Sequence, residues 1–258
     1  MTNLTPPQRS TLPSPQTSPS ILVPSAADGI RFLKRIGGSN INAHAHDDSA
    51  FFYQAGLSVD ADGSPRAYHP DGTSGLDDLC NAGTPGHWWA LVTHNGEPSG
   101  NPIIQKPNDP APGFYVSTTA LEIASFDRKD PRRYVNAEAI NYIVLPSGLN
   151  LNANLGDYAV VLRPQTGAVG YAVYADVGPT SKIGEGSVAL ANALGIPSNA
   201  KTGGVSNGIV YIIFRGSAKT FALSQLSQPD IETAGAELFI SWGGLDRARS
   251  SFCEINWG

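Results

Sequence analysis

The chain has 258 residues, of which 41% are hydrophobic and 15% carry a charge. This composition is sufficient for the core of one large domain or two small ones. The net charge of −5, without any cluster of Lys and Arg, argues against a nucleic-acid-binding surface. No uninterrupted apolar run is long enough for a membrane span, so a membrane partner is not expected.

The N-terminal segment 1–24 is rich in Pro, Ser and Thr. Such a composition buries too little apolar surface to offset the loss of chain entropy, so we predict a disordered tail that could tether the protein to a partner. We predict that residues 25–258 form a single domain. A basic region followed by an apolar core is absent at the N-terminus, so the expected location is cytoplasmic or reached by a non-Sec export route.

The two cysteines, Cys80 and Cys253, lie far apart in the sequence. One disulfide and two free buried thiols are both compatible with this count. The cysteines therefore leave the redox compartment open.

Residues 25–110 are dominated by Gly, Pro, Asp and Asn and predict mostly loops. Beyond residue 113, runs of β-branched and aromatic residues bounded by Gly and Pro predict strands. These runs are YIVLP (142–146), DYAVVLRP (157–164), VGYAVYADV (169–177) and GIVYIIFRG (208–216). The four residues QTGA between the second and third runs fit a hairpin loop.

Two segments predict helices. GEGSVALANALG (184–195) is rich in Ala and Leu and ends at a Gly that a Pro soon follows. PDIETAGAELFISWGG (229–244) starts on Pro and repeats apolar residues at helical spacing. Strands with few helices, and without regular βαβ alternation, predict a mainly β (α+β) barrel with peripheral helices and long loops.

Asp176 and Glu185 stand nine positions apart, where a predicted strand leads through a glycine-rich turn into a predicted helix. Two interpretations are open for this pair. An Asp at a strand end and a Glu in the first turn of a helix commonly act as caps or helix-dipole partners. Alternatively, one carboxyl is protonated and the other ionised, as the hydrolysis of a glycosidic bond requires.

The segment His44-Ala45-His46-Asp47 offers groups that could bind a metal or build a polar loop or cleft. Since no second His or Cys pair follows at zinc spacing, we predict no metal. The motif at 184–189 fits the loose dinucleotide pattern G-x-G-x-x-A, but no acid for a ribose occurs in residues 201–216. We therefore predict no cofactor.

The stretch 155–217 resembles glycoside hydrolase family 75, the chitosanases. Members share a hairpin that ends in an acidic dipeptide, then a Gly-Glu-Ala-Ser helix start nine residues later, then an aliphatic strand. This chain has Ala175-Asp176, then Gly184-Glu185-Gly186-Ser187, then residues 210–214. Further upstream, His44-Ala45-His46-Asp47, three aromatic residues and Asp60-Ala61-Asp62-Gly63 follow in the family's order.

The resemblance implies a double-psi-like β-barrel and an inverting endo-hydrolase of β-1,4-linked glucosamine polymers. Under it, residues 25–258 form the catalytic domain, and Asp176 and Glu185 are the two catalytic carboxylates. The roles of acid and base are open, with Glu185 as the acid the first choice. An inverting mechanism implies that roughly 6.5–9.5 Å separate the two carboxyl groups.

Several other residues are candidates for binding a polysaccharide substrate, because sugar rings stack on aromatic faces and amino groups pair with acids. They are Asp60, Asp62, Tyr68, Trp88, Trp89, Tyr174, His44 and His46. Two further functions remain open. One is a peptidoglycan-cleaving lytic enzyme (a muramidase or lytic transglycosylase) delivered to a cell wall, where one Asp suffices; the other is a non-catalytic carbohydrate-binding or particle-associated module.

Overall fold

The computed structural model describes residues 29–218 and 226–258. The predicted disordered tail 1–24 lies outside the described residues. The described strands are β1 (Ile30–Ile36), β2 (Ser39–His44), β3 (Asp47–Asp60), β4 (Gly83–Thr84), β5 (His87–Trp88), β6 (Tyr142–Pro146), β7 (Tyr158–Arg163), β8 (Ala168–Gly178), β9 (Glu185–Ser187) and β10 (Val205–Phe214). The described helices are α1 (Val188–Ala193), α2 (Gln228–Trp242) and α3 (Gly244–Ser251).

Six strands form a closed barrel. Following the hydrogen bonds, β3 pairs with β10, then β7, β8, β6 and β9 follow, and β9 pairs again with β3. The β3–β9 and β6–β8 pairs are parallel and the others antiparallel. β1 and β2 form an antiparallel ribbon that extends from β3 outside the ring.

Alternate residues of the barrel strands pack into two hydrophobic cores, as the period of two along a strand requires. One core contains Tyr53 and Tyr211, whose rings stack at 4.8 Å, together with Leu190 and Leu194 at α1. The second core lies beneath α2 and α3 and includes Trp242. The helices therefore lie on the periphery, and the predicted mainly β barrel with peripheral helices is confirmed.

The four predicted strands are present as β6, β7, β8 and β10, and the QTGA hairpin joins β7 to β8. The predicted second helix is α2. The first 110 residues contain more strand than expected, because β3 alone spans fourteen residues. The predicted helix that begins at 184 is shorter, since the Ser187 Oγ accepts a hydrogen bond from the Leu190 N–H and caps α1 there. Glu185 consequently lies in β9 rather than in a first helical turn.

Long loops between β3 and β6 include the small β4–β5 sheet and four isolated bridges. Cys80 and Cys253 are both free and exposed. Both predicted alternatives, one disulfide and two buried thiols, are therefore wrong. Among the described residues, none of the helices has the length and apolar character needed to cross a membrane.

Candidate active site

The central strand of the site, β6, aligns the two predicted catalytic acids. Val144 on β6 is the register partner of Asp176 on β8 and also of Glu185 on β9. Residues in register on neighbouring strands project to the same face of a sheet. The two acids thus flank one strand at the same level, with their Cα atoms about 10 Å apart, since each strand spacing is about 4.8 Å.

Both acids line one cleft with a volume of about 920 Å³, and Val144 lies in its wall. A pair of carboxylates acting only as caps would not need to share a cleft. The charged side chains in its lining are five acids and one lysine: Asp60, Asp62, Asp77, Asp176, Glu185 and Lys182. Such a cleft has an electrostatic potential that attracts cations.

Three of these acids form a tight cluster. One carboxylate oxygen from each of Asp60, Asp62 and Asp176 lies within 4.8 Å of the others. Burial, followed by the neighbouring charges of Asp176 and Glu185, raises the pKa of Asp60 well above its usual value. Burial and the charges of Asp60 and Asp176 likewise raise the pKa of Asp62. Like charges at this distance in a buried site cannot all be ionised, so the cluster retains protons.

Burial raises the pKa of Asp176 to about 6, against two backbone hydrogen bonds that lower it. The N–H groups of Ala120 and Val177 both donate to Oδ1 of Asp176, each at 2.9 Å. These donors fix the orientation of the carboxyl group and leave the second oxygen, Oδ2, for the cleft. Asp176 is thus a rigidly held carboxyl group that can carry a proton in mildly acidic solution.

Hydrogen bonds also fix the other two acids of the cluster. The Tyr68 hydroxyl donates to Oδ1 of Asp62 at 2.6 Å, and the Asp62 N–H donates to Oδ1 of Asp60 at 2.9 Å. The Tyr142 hydroxyl donates to the Asp62 carbonyl at 2.9 Å. Tyr68 therefore contributes to the site through Asp62.

Glu185 has a different environment from Asp176. The ammonium group of Lys182 donates to its Oε1 at 2.7 Å. Sequence reasoning did not identify Lys182: a spacing of three residues favours an ion pair on a helix, whereas Lys182 lies in the loop before β9. The two acids on either side of Val144 therefore have different partners: a lysine ammonium group for Glu185 and two backbone N–H groups for Asp176.

Trp89 presents an exposed aromatic face to the site. Its side chain is 60% exposed, and its Nε1 donates to the Asn81 carbonyl at 2.9 Å. Trp89 lines the first cleft and a second one of about 620 Å³. Asp62, Asp176 and Val177 also line both. The two clefts therefore adjoin at the acids.

The remaining predicted binding residues do not line the first cleft. Trp88 lines the second cleft but is only 8% exposed and packs in a small hydrophobic cluster. Tyr174 packs in the first barrel core and lines neither cleft. His44 is buried against Phe52, and His46 is exposed in the turn after β2; both lie outside the two clefts.

Within the described ranges, Asp60, Asp62 and Asp176 are the residues with the geometry to hold a metal ion. Hydrogen bonds from the protein already occupy an oxygen of each acid.

Comparison with known proteins finds a family match over the part of the chain that carries both catalytic candidates, Asp176 and Glu185. No curated protein matches the chain. Residues 114–239 match the family described as fungal chitosanase of glycosyl hydrolase group 75. The matched segment includes β8 and β9, whereas Asp60 and Asp62 lie outside it, on and just after β3. The resemblance seen in the sequence motifs is thereby confirmed over residues 114–239, and this match to glycoside hydrolase family 75 supports a glycoside hydrolase.

Proposed function

We propose that the protein is an endo-acting hydrolase of β-1,4-linked polysaccharides that contain glucosamine, and that it inverts the anomeric carbon. The observation that carries this proposal is the convergence of Asp176 and Glu185 on one acidic cleft, on either side of Val144. The excess of acids in the cleft suits a polymer of protonated amino sugars.

An internal position of cleavage is supported by the arrangement of the two clefts. They adjoin at Asp62, Asp176 and Trp89, so a polymer lying through both would have sugar units on either side of the acids. The exposed face of Trp89 at this junction suits stacking against a sugar ring. An enzyme of this kind cuts within the chain rather than from its end.

In the proposed mechanism, Asp176 is the general acid. Its carboxyl group has a pKa of about 6, and two backbone N–H groups hold one oxygen while the other carries the proton towards the cleft. As the bond from the anomeric carbon to the glycosidic oxygen breaks, that oxygen takes this proton. The sequence favoured Glu185 as the acid, so here the two residues exchange roles.

Glu185 is then the general base. The ammonium group of Lys182 contacts its Oε1 at 2.7 Å and orients the side chain for this role. Glu185 accepts a proton from a water molecule as the water oxygen attacks the anomeric carbon from the opposite side. The position of the two acids across one strand supports a gap wide enough for this water.

The test is product analysis on glucosamine and N-acetylglucosamine oligomers with wild-type protein, Asp176→Asn and Glu185→Gln. We expect the wild type to release internal fragments from glucosamine oligomers with an inverted anomer, and both variants to lose at least about 1,000-fold in kcat. Glycan binding without turnover of any oligomer would instead support the non-catalytic module.

A peptidoglycan-cleaving enzyme is the second candidate, and one observation favours it. Arg128 and Lys129 line the second cleft, where they could pair with the carboxylate of an acidic amino sugar. A lysis assay on purified sacculi separates this candidate from the first. Lysis that is lost in Asp176→Asn but retained in Glu185→Gln would establish a single-carboxylate mechanism.

A further inference from the structure

The loop between β8 and β9 places one lysine inside the acidic cleft. Its backbone is held at both ends: the Lys182 N–H donates to the Pro179 carbonyl, and the Gly184 carbonyl accepts from the Ser58 N–H at 2.9 Å. Gly184 adopts a positive φ of 86°, and a Cβ there would lie 2.7 Å from the Gly56 carbonyl oxygen. The loop therefore returns directly into β9 and carries Lys182 to a defined position beside Glu185.

The side chains of this pair differ in exposure. Lys182 is 45% exposed, whereas Glu185 is 16% exposed. Among the residues that line the first cleft, Lys182 is the sole cation. The other ionisable groups that face Glu185 are Asp60 on β3, Asp176 on β8 and Tyr211 on β10.

Each of these other groups carries either a negative charge or none, so none of them stabilises a negative charge on Glu185. On β8, Gly178 lies close to the second oxygen of this carboxyl group, since a Cβ built there would be 3.6 Å from Oε2 of Glu185. The ammonium group of Lys182 is the partner in contact, and its 2.7 Å hydrogen bond to Oε1 fixes the orientation of the Glu185 side chain.

We propose that Lys182 is a positioning residue for the reaction, which holds Glu185 as an oriented carboxylate ready to accept the proton of the attacking water. The inference rests on the proposed function, in which Glu185 is the base. Lys182 itself touches neither the anomeric carbon nor the leaving oxygen. Its loss should therefore lower kcat and change KM little.

The experiment compares Lys182→Met with Lys182→Arg on glucosamine oligomers. We expect the Met variant to lose about 10- to 100-fold in kcat with KM within about twofold, since a general base contributes about 10²–10⁴-fold. The Arg variant keeps the cation and should recover most of the rate. Lys34→Met is the matched control, because Lys34 lies on β1, outside the ring, where its Nζ donates to the Gly148 carbonyl; it lines neither cleft, so its loss should leave kcat unchanged.

A second readout separates positioning of the base from mere support of the loop. Azide is an anionic nucleophile that attacks carbon without giving up a proton, so it needs no general base. Attack forms a bond from the anomeric carbon to azide nitrogen, and the leaving oxygen takes the proton of Asp176. Azide should therefore raise the rate of both Lys182→Met and Glu185→Ala and yield a glycosyl azide, while leaving Asp176→Asn inactive on the same oligomer.

Three results would overturn the inference: wild-type kcat in Lys182→Met, a loss of rate that Arg does not restore, or a loss that azide does not bypass. A wild-type protein that cleaves no glucosamine oligomer refutes the proposed function, and with it the role given to Lys182. An active wild type with an unaffected Lys182→Met variant refutes the inference alone.

Discussion

Replacing Asp176 by Asn should stabilise the protein at neutral pH while it abolishes activity. Burial raises the pKa of this group from 3.8 to about 6, so the folded state binds its proton more tightly than the unfolded state does. The stability that the protonated form provides is present at low pH and is lost as the pH rises towards and past 6. Each pKa unit corresponds to about 1.4 kcal/mol, so ionising Asp176 costs the folded state about 3 kcal/mol.

An Asn at this position avoids that cost. Its side-chain oxygen can accept the hydrogen bonds that the Ala120 and Val177 N–H groups now donate to Asp176, and its amide can donate to a neighbouring acid. At pH 7.5 we therefore expect the free energy of unfolding of Asp176→Asn to exceed that of the wild type by about 2–3 kcal/mol. At pH 4 the two proteins should be nearly equal.

The assay is equilibrium denaturation in urea at pH 4, 5.5 and 7.5. Glu237→Gln is the matched control, since Glu237 lies on the exposed face of α2 and its variant should stay within about 0.5 kcal/mol of the wild type at every pH. A difference between Asp176→Asn and wild type that does not grow with pH, or a less stable variant at pH 7.5, would refute the reasoning.

Three further predictions concern activity and packing. Because Asp176 must hold its proton as the acid and its pKa is about 6, kcat/KM should fall as the pH rises through about 6, measured on glucosamine oligomers. A substrate with an activated leaving group needs no proton from a general acid, so Asp176→Asn should regain activity on it and Glu185→Gln should not. Recovery of activity by Glu185→Gln would show that the two roles are reversed. Trp89→Ala should raise KM about five- to tenfold with unchanged stability. Trp88→Ala, at a buried position, should instead lower the free energy of unfolding by about 3–5 kcal/mol. Equal effects of the two variants would contradict stacking of a sugar ring on Trp89.

Local composition predicted the strands of the second half well, because β6, β7, β8 and β10 are dense in β-branched and aromatic residues. β3 was not predicted as a strand. It begins with Asp47-Asp48-Ser49 and contains Gly56, which are poor strand formers, and its pairing with β10 depends on residues more than 140 positions away. Non-local pairing of this kind leaves no local signal.

The same distinction holds for the site. The spacing of Asp176 and Glu185 indicated a pair, but their alignment requires Val144, which only the parallel β6–β8 pairing brings between them. The clustering of Asp60 with Asp176 depends on closure of the barrel. His44 and His46 were candidates for substrate binding, but β2 ends at His44, His46 lies in the turn that follows, and neither lines a cleft.

The ring of six strands is completed by β9, which has only three residues, and the first of them is Glu185. This segment pairs in parallel with β3 on one side and antiparallel with β6 on the other. Structural integrity and the proposed chemistry are consequently joined at one place: transient opening of this segment would displace the proposed catalytic base before the rest of the molecule unfolds. Substitutions that weaken the pairing of β9 with β3 or β6 should reduce turnover while the global melting temperature changes little.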